Sequence, residues 1–223
     1  MINIYCINLD HRTDKWDFMA EQFLKMPNLN LIRVAGIKHE NVTIGCGLSH
    51  IKCIEEYMKD NPFVIVMEDD CLIKNINTFP DDLHKIVEWL VKNKNNWTTF
   101  NGNPDKHRYL KTHMIENDLK LVRTQGNNAN FIIYNNCPEV LELLLNEYKK
   151  ELHEYKKDIY DWKSIAIDGL IYRKLPFCIT KIPFLTTQTD KFTSDINIGE
   201  QSGCEKIRRA NKRICHHFGM KHV

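Results

Sequence analysis

A run of apolar residues, Phe63-Val64-Ile65-Val66-Met67, follows Pro62 and stops at three consecutive carboxylates, Glu68-Asp69-Asp70. Largely β-branched and bounded by proline and charge, the run suits a central strand of an α/β sheet better than a helix turn. Ligands of open α/β sheets bind beyond the carboxyl ends of the strands, where this strand delivers its acids. Alternation along a strand predicts Glu68 and Asp70 on one side and Asp69 on the other. Two hard oxygen donors on one face suit Mg²⁺ or Mn²⁺ when substrate phosphates complete the shell. The competing reading is a solvated acidic turn.

Around this run, strand-like and helix-like segments alternate. Strands are predicted over 2–8, 29–34, 63–67, 97–100, 119–122, 130–134 and 177–182. Apolar stripes predict helices around Trp16, Met19, Ala20 and Phe23; around Leu48, Ile51, Ile54 and Met58; around Leu83, Ile86, Val87, Leu90 and Val91; and around Val140, Leu141, Leu144, Leu145 and Tyr148. This order argues for a mostly parallel α/β sheet with covered faces, with a less regular second half. At 223 residues the chain reads as one domain.

Two further segments bear chemistry. Asn8-Leu9-Asp10-His11-Arg12-Thr13-Asp14-Lys15 follows the first strand and opens a helix. Asn8 and Asp10 suit hydrogen bonds to a base or ribose, and the planar fork of Arg12 suits a diphosphate; Asp10 or Thr13 equally suits a helix cap. Gly45-Cys46-Gly47-Leu48-Ser49-His50 reads as a glycine-rich turn entering a helix, with Ser49 and His50 in its first turn and backbone amides open to a ligand. No dinucleotide fingerprint or Walker-type phosphate loop is present.

Taken in order, Ile7 to Arg12 with Asp14, Gly45 to His50, and Met67 to Asp70 resemble glycosyltransferase family 25, the family of lipopolysaccharide β-galactosyltransferases and procollagen galactosyltransferase domains. Ile167-Asp168-Gly169 resembles the family's proline-isoleucine-aspartate segment, and Pro183 through Gln188 to Ser194-Asp195-Ile196 its closing signature. The likeness spans about residues 2–196.

The resemblance implies a GT-A fold, a Rossmann-like mixed sheet flanked by helices. It also implies a UDP-sugar donor, Mn²⁺ (or Mg²⁺), and inversion at the anomeric carbon. Glu68 and Asp70 become the DxD-type metal pair. Asn8, Asp10, Arg12, His50, Asp69 and Gln188 become donor-site residues, and Asp168 the general base. Asp168 alternatively caps the segment after it. The acceptor would be a saccharide, glycoprotein or lipid-linked glycan, and galactose or glucose the sugar. Gln125-Gly126-Asn127-Asn128-Ala129-Asn130-Phe131 stands where the family often carries a glycine-threonine-aromatic stretch, leaving the choice of sugar open.

Charge narrows the alternatives. With 31 basic against 29 acidic residues and a net charge of +2, the chain is no electrostatic nucleic-acid binder. The first ten residues lack the pattern of a signal peptide, and no window is apolar enough to span a bilayer, so a cytoplasmic protein is expected. Eight scattered cysteines read as reduced, buried thiols. Residues 204–223 form a basic tail carrying Lys206, Arg208, Arg209, Lys212 and Arg213, read as a solvated amphipathic helix that could meet a phosphate-bearing acceptor or an anionic membrane surface. Two other functions fit the same residues: a catalytically silent nucleotide-sugar or glycan binder, and a sugar nucleotidyltransferase.

Overall fold

The computed structural model describes residues 1–104, 113–123, 128–155, 165–192 and 203–220. Gln125, Gly126 and Asn127 and the Ser194-Asp195-Ile196 signature lie outside them. The chain begins with a β-α-β unit, β1 (Ile2–Asn8), α1 (Thr13–Phe23) and β2 (Leu29–Ala35). There follow α2 (Val42–Tyr57), β3 (Phe63–Glu68), β4 (Cys71–Ile73), α3 (Phe79–Lys92) and β5 (Thr99–Asn101). Next come β6 (His113–Glu116), β7 (Leu121–Arg123) and β8 (Phe131–Asn135). A helical run after β8 comprises α4 (Pro138–Leu141), a π-helical stretch (Glu142–Tyr148) and α5 (Lys149–Glu154). The remaining elements are α6 (Ile167–Lys174), β9 (Ile179–Lys181), β10 (Thr186–Gln188) and α7 (Gly203–His217).

The main sheet has the order β2-β1-β3-β8-β5-β9-β7-β6, and β10 pairs with β4 in a small second sheet. It is mixed rather than mostly parallel. β2, β1 and β3 are parallel, but β3 pairs antiparallel with β8, β8 with β5, β9 with β7, and β7 with β6. The parallel part is built through helical crossovers, whereas β6 and β7 are joined by a tight turn at Asn117–Lys120, which only antiparallel neighbours allow.

β3 lies inside the sheet with both faces covered, as its unbroken apolar run requires. Val64 and Val66 pack on one side with Ile51, Ile54, Leu144 and Leu170 from α2, the π-helical stretch and α6. Ile65 and Met67 pack on the other with Met19, Phe23, Leu83 and Ile86 from α1 and α3.

The basic tail is a packed helix. Ile207, Ala210, Ile214 and Cys215 of α7 are buried with Val122, Ile182 and Phe184, while Lys206, Arg208, Arg209, Lys212 and Arg213 face solvent. Cys6, Cys46, Cys53, Cys71, Cys137, Cys178 and Cys215 are free thiols, most of them buried. Among the described residues no helix is long and apolar enough to cross a membrane.

The glycine segment departs from its expected form. Helix α2 starts at Val42, where the Asn41 side chain accepts from the amides of Thr43 and Ile44, so Gly45 and Gly47 lie inside the helix. Their role is close packing rather than an open turn. A Cβ on Gly45 would stand 2.6 Å from the Ile37 carbonyl oxygen, and one on Gly47 would collide with the Tyr148 hydroxyl. That hydroxyl donates to Ile165 O at 2.6 Å, so it cannot simply swing away. Gly47→Ala is expected to lower stability by about 1–3 kcal/mol, seen as an earlier midpoint in chemical denaturation.

Candidate active site

Strands β2, β1 and β3 run parallel, and their carboxyl ends open on one cleft of about 270 Å³. Its walls are Ile7, Leu9, His11 and Lys15 from the end of β1 and the start of α1, the loop Gly36–His39 after β2, Cys46 and Ser49 from α2, and Glu68, Asp69 and Asp70. A crevice at this place is where the topology of an open α/β sheet puts a ligand.

Each carboxylate of the triplet has its own support. Glu68, on the α2 side of β3, meets Cys46 Sγ at 3.3 Å and His50 Nε2 at 3.5 Å through Oε1. Burial works to raise its pKa, but those two contacts and the charge of Lys15 outweigh it and hold Glu68 below its ordinary value. Asp69 points to the α1 side, where its oxygens accept from Asn8 Nδ2 at 2.8 Å and Lys15 Nζ at 3.0 Å. Burial pushes it up against the pull of Lys15 and Asn8. Asp70 accepts from Asn130 Nδ2 through one oxygen and from Gln188 Nε2, at 2.8 Å, through the other. Burial first, and then the charge of Glu68, push Asp70 up to about 7.

Behind Asp70 the amides continue. Asn103 Nδ2 donates to Asn130 Oδ1 at 2.9 Å, and Asn101 Nδ2 to Asn128 O at 2.6 Å. Asn101, Asn103 and Asn130 are all buried. The amide-rich segments of the sequence thus hold one carboxylate in place.

Several of the expected donor-site residues make framework contacts. Asn8 is fully buried; its amide donates to Arg12 O and Asp69, and its oxygen accepts from Arg33 Nε at 2.9 Å. With both ends engaged it positions Asp69 rather than offering a hydrogen bond to a nucleotide. Asp10 points outward and pairs with Arg33 at 3.2 Å, away from the cleft walls. The Arg12 fork is taken bidentately by Asp14, with Nε–Oδ1 and Nη2–Oδ2 both 3.1 Å, and Arg12 itself stands at the N-cap of α1. His50 is buried behind Glu68 in the third turn of α2, with Tyr134 Oη 2.9 Å from Nδ1. Gln188 reaches Asp70 rather than the open cleft. Asp168 stands in the first turn of α6, where it accepts from the Gly169 amide at 2.6 Å, and Ala166 is the N-cap. Leu170 and Ile171 of α6 pack with Ile51 and Ile54 of α2, which sets α6 on the Glu68 side of the sheet, and Asp168 is not among the residues that line the cleft.

Lys15, Asn130, Tyr134 and the loop after β2 are the site residues that sequence reasoning did not single out. Lys15 lay in view at the end of the first motif, but its ion pair with Asp69 needs α1 folded back across the sheet. Burial works to lower its pKa, while Asp69 and Asp70 outweigh that and hold it above the ordinary value. Side-chain exposure is 5% for Lys15 and 12% for Asp69, so the pair is poorly screened.

Lys15→Met leaves Asp69 without its cation and is expected to cost about 3 kcal/mol at pH 8, the low end for a buried pair because the cleft admits water. A carboxyl raised in the folded state binds a proton that the unfolded chain releases, so stability falls as pH rises. Loss of Lys15 raises Asp69 further, and the variant's deficit in denaturant titrations should therefore be larger at pH 8 than at pH 5.

Residues 40–141, which contain α2, the acidic triplet, β5 and β8, match the model of glycosyltransferase family 25, described as LPS biosynthesis proteins. Comparison with curated proteins returned no match. Among solved structures, a glycosyltransferase involved in the glycosylation of the major capsid of PBCV-1 is 10% identical, with 95% of this chain and 98% of that one covered and a TM-score of 0.48. A mannose-1-phosphate geranyltransferase from Thermus thermophilus is 8% identical over 81% of this chain and 73% of that one, at 0.46. Mouse xyloside xylosyltransferase 1 is 8% identical over 78% and 69%, at 0.37.

Proposed function

We propose that this chain, whose residues 40–141 carry the glycosyltransferase family 25 match, is a divalent-metal-dependent transferase. It moves a hexose from a UDP-sugar to a hydroxyl of a saccharide or glycoconjugate with inversion. The family match supports sugar transfer. The finer reading is carried by one observation, the gathering of Glu68, Asp69 and Asp70 on the wall of the cleft at the ends of β2, β1 and β3.

Glu68 and Asp70 fit a hard dication. Both offer carboxylate oxygen, and the charge of Glu68 helps to push Asp70 up to about 7. Burial is the larger part of that rise and the charge of Glu68 the next, with Lys15 opposing both, so a cation shared by the two acids would relieve it. When bound, the ion would stabilise the departing diphosphate as a Lewis acid.

The protein's own groups do the rest. Asn130 and Gln188 fix both oxygens of Asp70, Cys46 and His50 fix Glu68, and Lys15 with Asn8 fixes Asp69. Supports of this kind lower the reorganisation needed when charge develops. Ile7 and Leu9 give the cleft an apolar floor for a base, and Lys15 places a cation beside the diphosphate. Asp69 is the contact for the donor sugar. Asp168 takes the proton of the acceptor hydroxyl as its oxygen bonds to the anomeric carbon and the bond from that carbon to the UDP oxygen breaks on the opposite face.

Nucleoside-diphosphate release from a panel of UDP- and GDP-sugars, with Mn²⁺ and with chelator, tests the reading. Metal-dependent release from one donor, abolished in Asp70→Asn, is the expected result. Release of pyrophosphate would mark a nucleotidyltransferase, and absence of both release and donor binding would overturn the transferase reading and leave a silent glycan binder. Asp168→Asn should lower transfer to the acceptor by about 10²-fold or more while donor binding is kept. A proton on Asp70 competes with the ion, so Mn²⁺ should raise the thermal midpoint more at pH 8 than at pH 6. Equal shifts at both would sink the assignment of Asp70 as a ligand.

A further inference from the structure

The α2 wall of the cleft carries a second donor set that the proposed reaction does not use as ligands. Cys46 and His50 are four residues apart on α2 and so share one helix face. Glu68, at the end of β3, lies against that face. Sγ of Cys46, a ring nitrogen of His50 and a carboxylate oxygen of Glu68 all lie within 4.8 Å of one another. The two measured edges are 3.3 Å for Cys46 Sγ to Glu68 Oε1 and 3.5 Å for His50 Nε2 to the same oxygen. Tetrahedral coordination with bonds of about 2.0–2.3 Å places neighbouring ligand atoms roughly 3.3–3.7 Å apart. Two edges of the set already have that spacing, and the third, Cys46 to His50, lies within 4.8 Å.

We propose that Cys46 Sγ, His50 Nε2 and Glu68 Oε1 form a three-ligand site for a thiophilic divalent ion such as Zn²⁺, with its fourth position open to the cleft.

Three features beyond the spacing point there. The donors are one sulfur, one nitrogen and one oxygen, a set that favours Zn²⁺ over Mg²⁺ or Mn²⁺. The other ring nitrogen of His50 is held by Tyr134 Oη at 2.9 Å, the outer partner that orients a metal-binding imidazole. A phenol suits both states of the ring: it donates to Nδ1 while Nε2 carries the proton, and accepts from Nδ1–H once Nε2 binds metal. Finally, Cys46 and Glu68 line the cleft, which gives an ion its path in. Loading releases the Cys46 thiol proton to solvent and moves the ring proton of His50 from Nε2 to Nδ1.

The site shares Glu68 with the hard-ion pair but not Asp70, which the amides of Asn130 and Gln188 hold from elsewhere in the fold. A thiophilic ion therefore draws Glu68 to the α2 wall and competes with the hard ion for it. That competition alone rests on the proposed transferase reading; the site does not.

Co²⁺ titration of the full-length chain under reducing conditions tests it by absorption, with no substrate present. One equivalent should give a thiolate-to-cobalt charge-transfer band and the intense visible bands of tetrahedral Co²⁺, both abolished by one equivalent of Zn²⁺. Cys46→Ser should remove the charge-transfer band and Asp70→Asn should retain it. Tyr134→Phe should weaken Zn²⁺ by about 10-fold or more, as loss of an outer partner does. Should Cys46→Ser fail to fold, mapped alkylation of the native chain gives the same answer, because Zn²⁺ must protect Cys46 selectively. The proposal falls if wild type shows no charge-transfer band, if the band survives in Cys46→Ser, or if Asp70→Asn also removes it. Alkylation of Cys46 indifferent to Zn²⁺ would overturn it as well.

Discussion

Negative charge confined at the end of a buried strand is the constraint around which the site is arranged. Burial disfavours every carboxylate of Glu68-Asp69-Asp70, and the strand that carries them cannot move away because both of its faces are packed. The protein answers with dedicated donors for each acid. Lys15 supplies a full charge to Asp69, Asn130 and Gln188 supply amide dipoles to Asp70, and Cys46 with His50 engages Glu68. These supports come from α1, β10, α2 and the segment before β8, so the site is also a junction that ties those elements together.

The compensation is uneven, and the unevenness carries the chemistry. Asp69 has a cation of its own and Glu68 is held down by its partners, whereas Asp70 receives neutral amides and is pushed up to about 7. Neutral donors orient a carboxylate without cancelling its charge. Lys15 pulls Asp70 down only in part against burial and the charge of Glu68, and under the proposed transferase reading a cation would complete the compensation. Glu68 in turn stands between two environments, hard oxygen on the Asp70 side and sulfur with imidazole on the α2 side.

Much of the framework was legible because the signals were long. The Phe63 run, the first two strands and the apolar stripes of α1, α2 and α3 each bury a face over several residues, and periodicity reports that directly. Strands β4 and β10 have three residues each and β6 four, too few to alternate visibly, and yet β10 brings Gln188 to Asp70. In the sequence Gly45 and Gly47 suit a turn that opens backbone amides to a ligand. Here the Asn41 cap and the tight approach of Ile37 and Tyr148 reverse that expectation, and only the packed neighbours reveal why.

The sequence by itself determined that a buried strand ends in acids, that helices cover the sheet, and that the ordered motifs resemble family 25 sugar transferases. These follow from local pattern, since burial on both faces and the end of a strand are written in consecutive residues. The partners of those acids were decided only by tertiary structure. Lys15 meets Asp69, Asn130 meets Asp70 and Tyr134 meets His50 across separations of 54, 60 and 84 residues. Asn8 and Arg12, plausible as ligand contacts in the linear motif, have their hydrogen bonds taken by Asp69, Arg33 and Asp14. Hydrogen-bonding capacity is a property of residue type, but whether it is already spent depends on which neighbours the fold brings within about 3 Å.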